Sequence, residues 1–396
     1  MVEVAQTATL RRREPLAAAA LARRLDWVLL AAVAALVGVG LWAIAGVTRH
    51  VVAGDPHYYV VRQAVFAGLG GLGLVGALFV DPDQYRRHWR VLYGGMLGVL
   101  LLVFAAGEAT RGSRRWIEIG FFRFQPSEFG KLLLVLSLAG FLSSRSKRLR
   151  EWRTIAVAVG MAGLAALLVF AEPDVGTALV YGAALAACLF IAGARWSHLA
   201  ILGAGTVVLA VIVLWAAPAL GVDVLKPYQV KRLTAFLHPD ENLRGTSYNV
   251  HQSIISVGSG GLHGRDVAGA TQTSLGYLPE PETDFVFAAY AEQRGFVGAS
   301  ILLALYLLVV WRALRIVAGA RDGFGAIAAG GIAVAFLFQV FVNVGMTIGI
   351  APITGIPLPF VSVGGSSMIA NLLAMGVLQA ICARSRENGR RRGAYA

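Results

Sequence analysis

The residues from Pro279 to Glu292 combine two prolines, a threonine and four carboxylates with the start of an apolar run. Proline fixes its own φ and restricts the preceding residue, so the approach to the run is extended. Thr283 is predicted to cap the helix that follows, with Asp284 in its first turn, where the helix dipole favours a carboxylate. Glu292 comes about two turns later, near the same face and deeper in a membrane. Because carboxylates are costly in a membrane helix, Asp284 is the predicted catalytic or ligand-binding residue and Glu292 a supporting one.

Arginines are concentrated in a polar segment that runs from Glu108 to Gln125. Guanidinium groups bind phosphate through planar, paired hydrogen bonds, so this cluster predicts a phosphate or pyrophosphate ligand. Binding of lipid headgroups, or pairing with nearby glutamates, would explain the cluster equally well. A second basic segment, 226–233, joins it as a candidate. The residues proposed to bind the substrate or its pyrophosphate from these two segments are Arg111, Arg114, Arg115, Trp116, Lys231 and Arg232.

Two further motifs place charges at the ends of apolar runs. In the segment 125–131, Glu128 and Lys131 stand at i, i+3 and can pair along one helix face. A structural ion pair is the favoured interpretation, although Lys131 is kept among the pyrophosphate candidates. The sequence Glu172-Pro173-Asp174 predicts a helix stop followed by an N-cap, slightly ahead of direct ligand contact. Glu128 and Asp174 are therefore predicted to be supporting residues.

A third motif, Pro-x-Pro followed by Gly-Gly-Ser-Ser, breaks an apolar pattern between residues 357 and 367. Irregular backbone at membrane depth is tolerated only where protein or a water-filled cavity satisfies its polar groups. The motif therefore predicts a polar cavity, with Ser362 and Ser366 as candidates for contact with a substrate.

The composition defines the class of protein that must position these residues. Of 396 residues, 57% are apolar and only 14% are charged, which excludes an ordinary soluble protein. Cys188 and Cys382 lie in apolar runs and predict neither a disulfide framework nor a metal site. The predicted fold is an all-α polytopic membrane protein of about ten transmembrane helices. The expected spans are 27–47, 60–80, 91–107, 127–143, 154–171, 174–193, 198–218, 285–311, 324–346 and 362–383.

An even number of spans puts both termini on one side. With cytoplasmic N- and C-termini, most lysines and arginines fall on cytoplasmic pieces, as the positive-inside rule expects. The net charge of +13 therefore reports topology and contact with membrane lipids, not nucleic acid. The predicted divisions are a basic cytoplasmic tail (1–26), a single ten-helix membrane domain (27–383) and a second basic cytoplasmic tail (384–396), both tails disordered. A long external loop, 219–284, between helices 7 and 8 is expected to be functional and partly structured.

Taken together, the motifs resemble the RodA/FtsW group, the shape, elongation, division and sporulation (SEDS) family of peptidoglycan glycosyltransferases. The resemblance covers nearly the whole chain and is carried by Gly-x-x-Arg-Trp-Ile, Gln-Pro-Ser-Glu-Phe-x-Lys, Pro-Asp-x-Gly-Thr, Pro-Tyr-Gln, Gly-Ser-Gly-Gly-Leu, Thr-Asp-Phe-x-Phe-Ala and Pro-x-Pro-Phe-x-Ser-x-Gly-Gly-Ser-Ser, in that order. The segment from Asn343 to Thr347 resembles the RodA branch more than the FtsW branch. Two departures are Val363, where the family usually has tyrosine, and Arg294, which is predicted to give Glu292 a local partner.

The resemblance implies a multi-pass enzyme of the bacterial inner (plasma) membrane, with an active-site cleft that faces outside. It implies polymerisation of lipid II into β-1,4 glycan strands during cell elongation and maintenance of cell shape. The implied partners are lipid II, the growing glycan linked to undecaprenyl pyrophosphate, and a class B penicillin-binding protein as transpeptidase. The Asp of Thr-Asp-Phe, Asp284 here, is the catalytic base that has been proposed for the family.

The pyrophosphate charge can be stabilised by arginine, by lysine or by a divalent cation. No sequence motif fixes Mg²⁺ or Mn²⁺, so metal dependence stays open, and no other cofactor is expected. Two alternative functions also stay open. A lipid II flippase would use intramembrane charges and broken helices as well, although its site should lie near the midplane. A non-enzymatic scaffold that activates a penicillin-binding protein would leave Asp284 and the arginines without a reason to lie together.

Overall fold

The computed structural model describes residues 22–49, 55–110, 113–120, 122–221, 225, 227–234 and 246–393. All ten predicted spans are long helices in these ranges. Nine are long and apolar enough to cross a membrane, and the tenth, Trp89–Ala106, is 18 residues long and apolar. They are α1 (Trp27–Val47), α2 (Tyr58–Phe79), α4 (Trp89–Ala106), α5 (Pro126–Ser144), α6 (Trp152–Ala171), α7 (Val175–Ala192), α8 (Trp196–Val211, continued by a π-helical turn, Ile212–Ala216), α13 (Val286–Gly319), α14 (Gly323–Thr347) and α15 (Gly365–Gly393). A short helix, α3 (Pro82–Arg87), lies between α2 and α4. The prediction of a polytopic helical membrane protein is confirmed.

Three helices form the centre of the bundle. Of the apolar windows of α5, α14 and α15, 72%, 72% and 83% of the residues are buried inside the protein, whereas none of the window of α8 is buried. Several helices begin at an aspartate whose carboxylate accepts a backbone N–H of the first turn. Asp26 caps α1, Asp174 caps α7 and Asp322 caps α14. These caps fix where each helix starts, and hence where the connecting segments leave the bundle.

Short elements cover one end of the bundle, which we call the loop end. The arginine-rich segment folds into an antiparallel sheet with the order β1 (Glu108–Thr110), β2 (Ser113–Ile119), β3 (Phe122–Phe124). This sheet was not anticipated in an all-α prediction. The long loop contributes four helices, α9 (Pro227–Thr234), α10 (Thr246–Ser259), α11 (Asp266–Gly269) and α12 (Thr271–Ser274). The irregular segment between α14 and α15, residues 351–364, is called the strap below.

Helix α13 is broken at Gly295, which has φ 65° and ψ −168°. The glycine run of the loop fits into the break, because the N–H of Phe296 donates to Gly261 and the N–H of Arg265 donates to Glu292. The part after the break has about 24 residues and spans roughly 36 Å, which is enough to cross the hydrocarbon core. The part before the break therefore lies at the loop end, and it delivers the residues that precede α13 to the top of the bundle.

The opposite end, where α1 begins and α15 leaves the bundle, is held by a buried ion pair. Arg312 Nη2 lies 2.6 Å from Asp26 Oδ2, and the side-chain amide of Gln379 bonds both the N–H and the carbonyl of Asp26. Helix α15 continues to Gly393, so the predicted disorder of the C-terminal tail is wrong for residues 384–393. The N-terminal tail up to residue 21 lies outside the described residues.

Candidate active site

Asp284 lies in a turn that leads into α13, not in its first helical turn. The helix begins at Val286 with Phe285 as N-cap and no side-chain cap, so the predicted capping role of Thr283 is wrong. Thr283 Oγ1 points instead to Glu280 Oε2 at 3.4 Å, and the N–H groups of Thr283 and Phe285 both donate to the carbonyl of Glu280. The rigid approach predicted from the prolines thus closes into a compact turn, which presents Asp284 ahead of the helix.

A small pocket lies next to the part of the strap that faces this turn: Thr354 lines the pocket, and the following residue, Gly355, faces Asp284 Oδ2. Its walls come from β2, from the α6–α7 connection, from α9 and from the strap. Two cations that the sequence singled out, Arg115 and Arg232, line it. The remaining lining residues are Pro173, Val175, Gln229, Leu233, Ile353 and Thr354. We call this space the site pocket.

The electrostatics of Asp284 connect it to this pocket. The pKa of its carboxyl is raised from 3.8 to about 6, chiefly by burial; Glu280 and Asp174 add to the rise, while Arg232 and Arg115 oppose it. Among these neighbours Arg232 has the larger opposing effect. Asp284 is therefore mostly ionised at neutral pH, yet it is a stronger base than an ordinary aspartate.

Arg115 also holds the connection between α6 and α7. Its Nε donates to the carbonyl of Glu172 at 3.0 Å, and one Nη donates to the carbonyl of Pro173. A guanidinium has five N–H groups, so the N–H groups that make neither of these bonds remain for a ligand. Asp174 accepts from the backbone and hydroxyl of Thr177, which confirms the predicted N-cap.

Glu172, which the sequence treated only as part of a helix stop, is a buried carboxyl. Neither of its oxygens has a hydrogen-bond partner among the described residues. Burial raises the pKa of Glu172 to about 8, the charge of Asp174 adds to the rise and Arg115 opposes it. A neutral acid therefore stands behind Arg115 at neutral pH. The signal in the sequence was the pair of acids flanking Pro173.

The strap forms the wall next to Asp284, and four side chains hold its backbone. Ser362 Oγ donates to the carbonyl of Thr283 at 2.6 Å and accepts the N–H of Leu358 at 2.9 Å, so its hydroxyl joins the strap to the Asp284 turn. Gln63 donates to the carbonyl of Ser362 and accepts the N–H of Gly364. Tyr306 donates to the carbonyl of Pro359, and Asn343 donates to the carbonyl of Ile356. The hydroxyl of Ser362 thus joins two segments of the chain.

Gln63 and Asn343 were missed as site residues, although an amide inside an apolar helix signals a function.

Lys131 is placed in a different space. Its Nζ lies 2.7 Å from Glu128 Oε2 and 2.6 Å from Gln339 Oε1, which confirms the predicted ion pair. These three residues and Asn371 line a small inner cavity between α5, α14 and α15. Gln339 lies one helical turn below Asn343 on α14. The structure therefore puts Lys131 beneath the site pocket and does not bring it to the arginines.

Glu292 anchors the long loop. Its carboxylate accepts the N–H groups of Gln272 and Thr273 at 2.8 and 3.0 Å and the hydroxyl of Thr273 at 2.7 Å. Arg294 pairs instead with Asp266 and lies 3.6 Å from the centre of the Trp42 ring, so the predicted Arg294–Glu292 pair is wrong. The spacing argument failed because Asp284 is not helical and therefore shares no helix face with Glu292.

The remaining candidate residues either join two segments of the chain through hydrogen bonds or lie outside the described residues. Ser366 Oγ donates to the carbonyl of Arg123 and accepts the N–H of Gln125, so it fastens the sheet to α15. Trp116 lies opposite Glu108 in the sheet, and strand alternation points its side chain away from the face that carries Arg115. Arg111 lies outside the described residues, as do the side chains of Arg114 and Lys231.

Comparison with known proteins identifies the family. A family model described as cell cycle protein, FtsW/RodA/SpoVE, matches residues 23–387. The chain belongs to this family. Stage V sporulation protein E of Bacillus subtilis is 37% identical over 84% of this chain and 89% of that protein. Peptidoglycan glycosyltransferase MrdB of Escherichia coli K12 is 37% identical over 76% of this chain and 80% of that protein.

Solved structures agree with the family assignment. Rod shape determining protein RodA of Thermus thermophilus has a TM-score of 0.67 and 30% identity, covering 90% of this chain and 96% of that chain. A chain from a peptidoglycan synthase complex, described as coordinating polymerization and crosslinking, has a TM-score of 0.77 and 30% identity, covering 91% and 98%. The resemblance drawn from the motifs is confirmed. A closer relationship to RodA than to FtsW has weak support from the RodA neighbour, since probable FtsW enzymes match at similar identity.

Proposed function

We propose that this protein is a peptidoglycan glycosyltransferase that polymerises lipid II into β-1,4-linked glycan strands in cell elongation and maintenance of cell shape. The observation that carries the proposal is the environment of Asp284, whose carboxyl lies within range of the charges of Arg232 and Arg115, the two cations that line the site pocket. A base next to two phosphate-binding cations is the arrangement that transfer from a pyrophosphate-activated sugar requires. The relatives named peptidoglycan glycosyltransferase support the same conclusion.

In the proposed reaction Asp284 takes the proton of the 4-hydroxyl of the acceptor N-acetylglucosamine. That oxygen forms a bond to the anomeric carbon of the donor N-acetylmuramic acid with inversion. The bond from that carbon to the phosphate oxygen breaks, and undecaprenyl pyrophosphate leaves with the electron pair. General base catalysis contributes roughly 10²- to 10⁴-fold. The remainder is assigned to Arg115 and Arg232, which stabilise the charge that develops on the leaving group.

Dependence on a divalent cation stays open. Within the described ranges, no three His, Cys, Asp or Glu side chains come close enough to hold a metal ion. The reaction as proposed above has no step through Mg²⁺ or Mn²⁺. An ion that is carried in by the pyrophosphate itself would need few ligands from the protein. Dependence of the rate on added Mg²⁺ or Mn²⁺ after treatment with a chelator tests this point.

The proposed setting is the inner membrane of a bacterium, with the loop end facing outside. The basic side chains of α3 (Pro82–Arg87) and of the α5–α6 connection lie at the opposite end, which the positive-inside rule assigns to the cytoplasm. The proposed partners are lipid II, the growing glycan on undecaprenyl pyrophosphate, and a class B penicillin-binding protein. The synthase complex among the structural neighbours supports the last of these.

A lipid II flippase is the second candidate, and the inner cavity is the observation that favours it. Glu128, Lys131 and Gln339 form a polar cluster among membrane helices, as expected of a transporter. Against it, the groups that suit a reaction, Asp284 and the two arginines, converge at the loop end. The same convergence argues against a purely non-enzymatic scaffold.

The deciding experiment measures glycan formation from purified lipid II by the wild-type chain and Asp284→Asn, each with and without a class B penicillin-binding protein. Asp266→Asn is the matched control, because Asp266 is an exposed carboxylate of the same loop that pairs with Arg294. Polymer from the wild type and the control, and none from Asp284→Asn, supports the glycosyltransferase. Absence of polymer from every sample, together with transfer of lipid II across liposomes, would favour the flippase.

A further inference from the structure

Asn343 is a fully buried amide in an apolar stretch of α14. Burying an amide costs free energy unless its groups are hydrogen-bonded. Its side-chain nitrogen donates to the carbonyl of Asp284 at 3.1 Å and to the carbonyl of Ile356 at 2.8 Å. An amide nitrogen carries two N–H groups, so these two bonds use the whole donor capacity of the side chain.

The two acceptors belong to separate segments that meet at the catalytic carboxyl. The carbonyl of Asp284 is in the turn before α13, and the carbonyl of Ile356 is in the strap. Gly355, the neighbour of Ile356, has its α-carbon facing Asp284 Oδ2. One amide therefore fixes the backbone of Asp284 and, at the same time, the wall against which its carboxyl lies.

No helical hydrogen bonding does this for Asp284, since the residue precedes the N-cap of α13. The side-chain oxygen of Asn343 is buried and has no hydrogen-bond partner among the described residues. An apolar side chain of similar size would avoid that loss. The role of the amide is therefore explained by its two donor bonds, which an apolar residue could not make to the carbonyls of Asp284 and Ile356.

We propose that Asn343 is a positioning residue that orients Asp284 toward the acceptor hydroxyl by tying the Asp284 turn to the strap. The proposal rests on the proposed glycosyltransferase function. A misplacement of about 1 Å at a reacting group can cost roughly 10²-fold in rate. Loss of the tie should therefore lower kcat by about 10- to 100-fold and leave KM for lipid II within about twofold.

The test compares the wild type, Asp284→Asn, Asn343→Leu and Asn343→Ala in lipid II polymerisation, with kcat and KM measured across pH 5–9. Gln379→Leu is the matched control. Gln379 is also a fully buried amide that ties backbone on another segment, but at the opposite end of the bundle. We expect Gln379→Leu to lower the temperature of unfolding and to keep kcat per folded molecule.

The acid limb of the pH profile should keep its midpoint in both Asn343 variants, because no charge near Asp284 changes. This separates a positioning effect from an electrostatic one. The alanine variant removes the same two donors without added bulk, so it decides the question if Asn343→Leu does not fold. Provided that Asp284→Asn is inactive, two results for a folded Asn343 variant overturn the proposal. One is a kcat within threefold of the wild type, and the other is a raised KM at unchanged kcat. Activity of Asp284→Asn itself would overturn the role of the base and, with it, this inference.

Discussion

The carboxylate of Asp284 lies directly against Gly355: a Cβ atom on residue 355 would stand 3.6 Å from Asp284 Oδ2. Gly355 also has φ +74°, a left-handed conformation that side chains other than glycine rarely adopt. A Cβ atom at that distance would make an ordinary van der Waals contact, so the positive φ, and not a lack of space, is what favours glycine at residue 355. This contact links the irregular Pro-x-Pro region to Asp284, the proposed base.

Gly355→Ala should therefore impair the reaction. An alanine at this φ is strained by about 1–3 kcal/mol. The strap can relieve that strain only by moving relative to Asp284. We expect kcat for lipid II polymerisation to fall at least tenfold. Gly193→Ala is the control, because Gly193 has φ +88° at the end of α7 with open space around it. Equal activity of the two variants at equal loss of stability would contradict the role of the contact.

Arg232→Gln should move the acid limb of the activity profile to higher pH. The proposed base, Asp284, must be ionised to accept a proton, so we expect activity to rise as pH rises through its pKa of about 6. Arg232 lowers that pKa, and removing its charge allows the pKa to rise. The profile of kcat/KM against pH measures the midpoint. Arg123→Gln is the control, since Arg123 pairs with Glu118 on the sheet. An unshifted midpoint in Arg232→Gln would mean that its charge does not reach Asp284.

Arg115→Lys should be costly although the charge is kept. The guanidinium donates to two carbonyls of the α6–α7 connection and still lines the site pocket. An ammonium cannot reproduce this planar fork, and a hydrogen bond to a charged group contributes about 1.5–3 kcal/mol. We expect kcat to fall roughly 10- to 100-fold in the polymerisation assay. Arg123→Lys should stay near the wild-type rate. A wild-type rate in Arg115→Lys would remove this residue from the leaving-group site.

The spans and the ion pair of Glu128 with Lys131 could be predicted because they follow from local rules. Apolar length sets a membrane helix, and i, i+3 spacing sets a pair on one helix face. Arg115, Arg232 and Asp284 were each singled out by residue type, but their meeting at one pocket depends on contacts between segments far apart in sequence. The same limit explains the errors. Glu292 was assigned by helical spacing, whereas Asp284 lies in a turn before α13 and shares no helix face with Glu292.

Asn343 shows what the sequence could not supply. Its residue type and apolar surroundings mark it as unusual, yet its two acceptors lie 59 and 13 residues away. Ser362 and Ser366 show the converse. Their motif suggested contact with a substrate, but their hydroxyls already bond backbone groups of other segments. Whether a polar side chain serves a ligand or the fold is decided by its partners, which only the structure provides.

Glu172→Gln should stabilise the protein at alkaline pH. Burial raises the pKa of Glu172 from 4.5 to about 8. At pH values between these two, the folded protein therefore holds a proton on Glu172 that the unfolded chain has lost. The free energy of unfolding therefore falls as pH rises through this range. Glutamine removes the penalty, which reaches about 4 kcal/mol at pH 8, at 1.36 kcal/mol for each unit of pKa. We expect the unfolding temperature of Glu172→Gln in detergent to exceed that of the wild type at pH 8 and to converge with it near pH 4. Glu118→Gln, on the exposed sheet, should follow the wild type at every pH. A constant difference between Glu172→Gln and the wild type across the whole range would show that Glu172 is ionised in the folded protein.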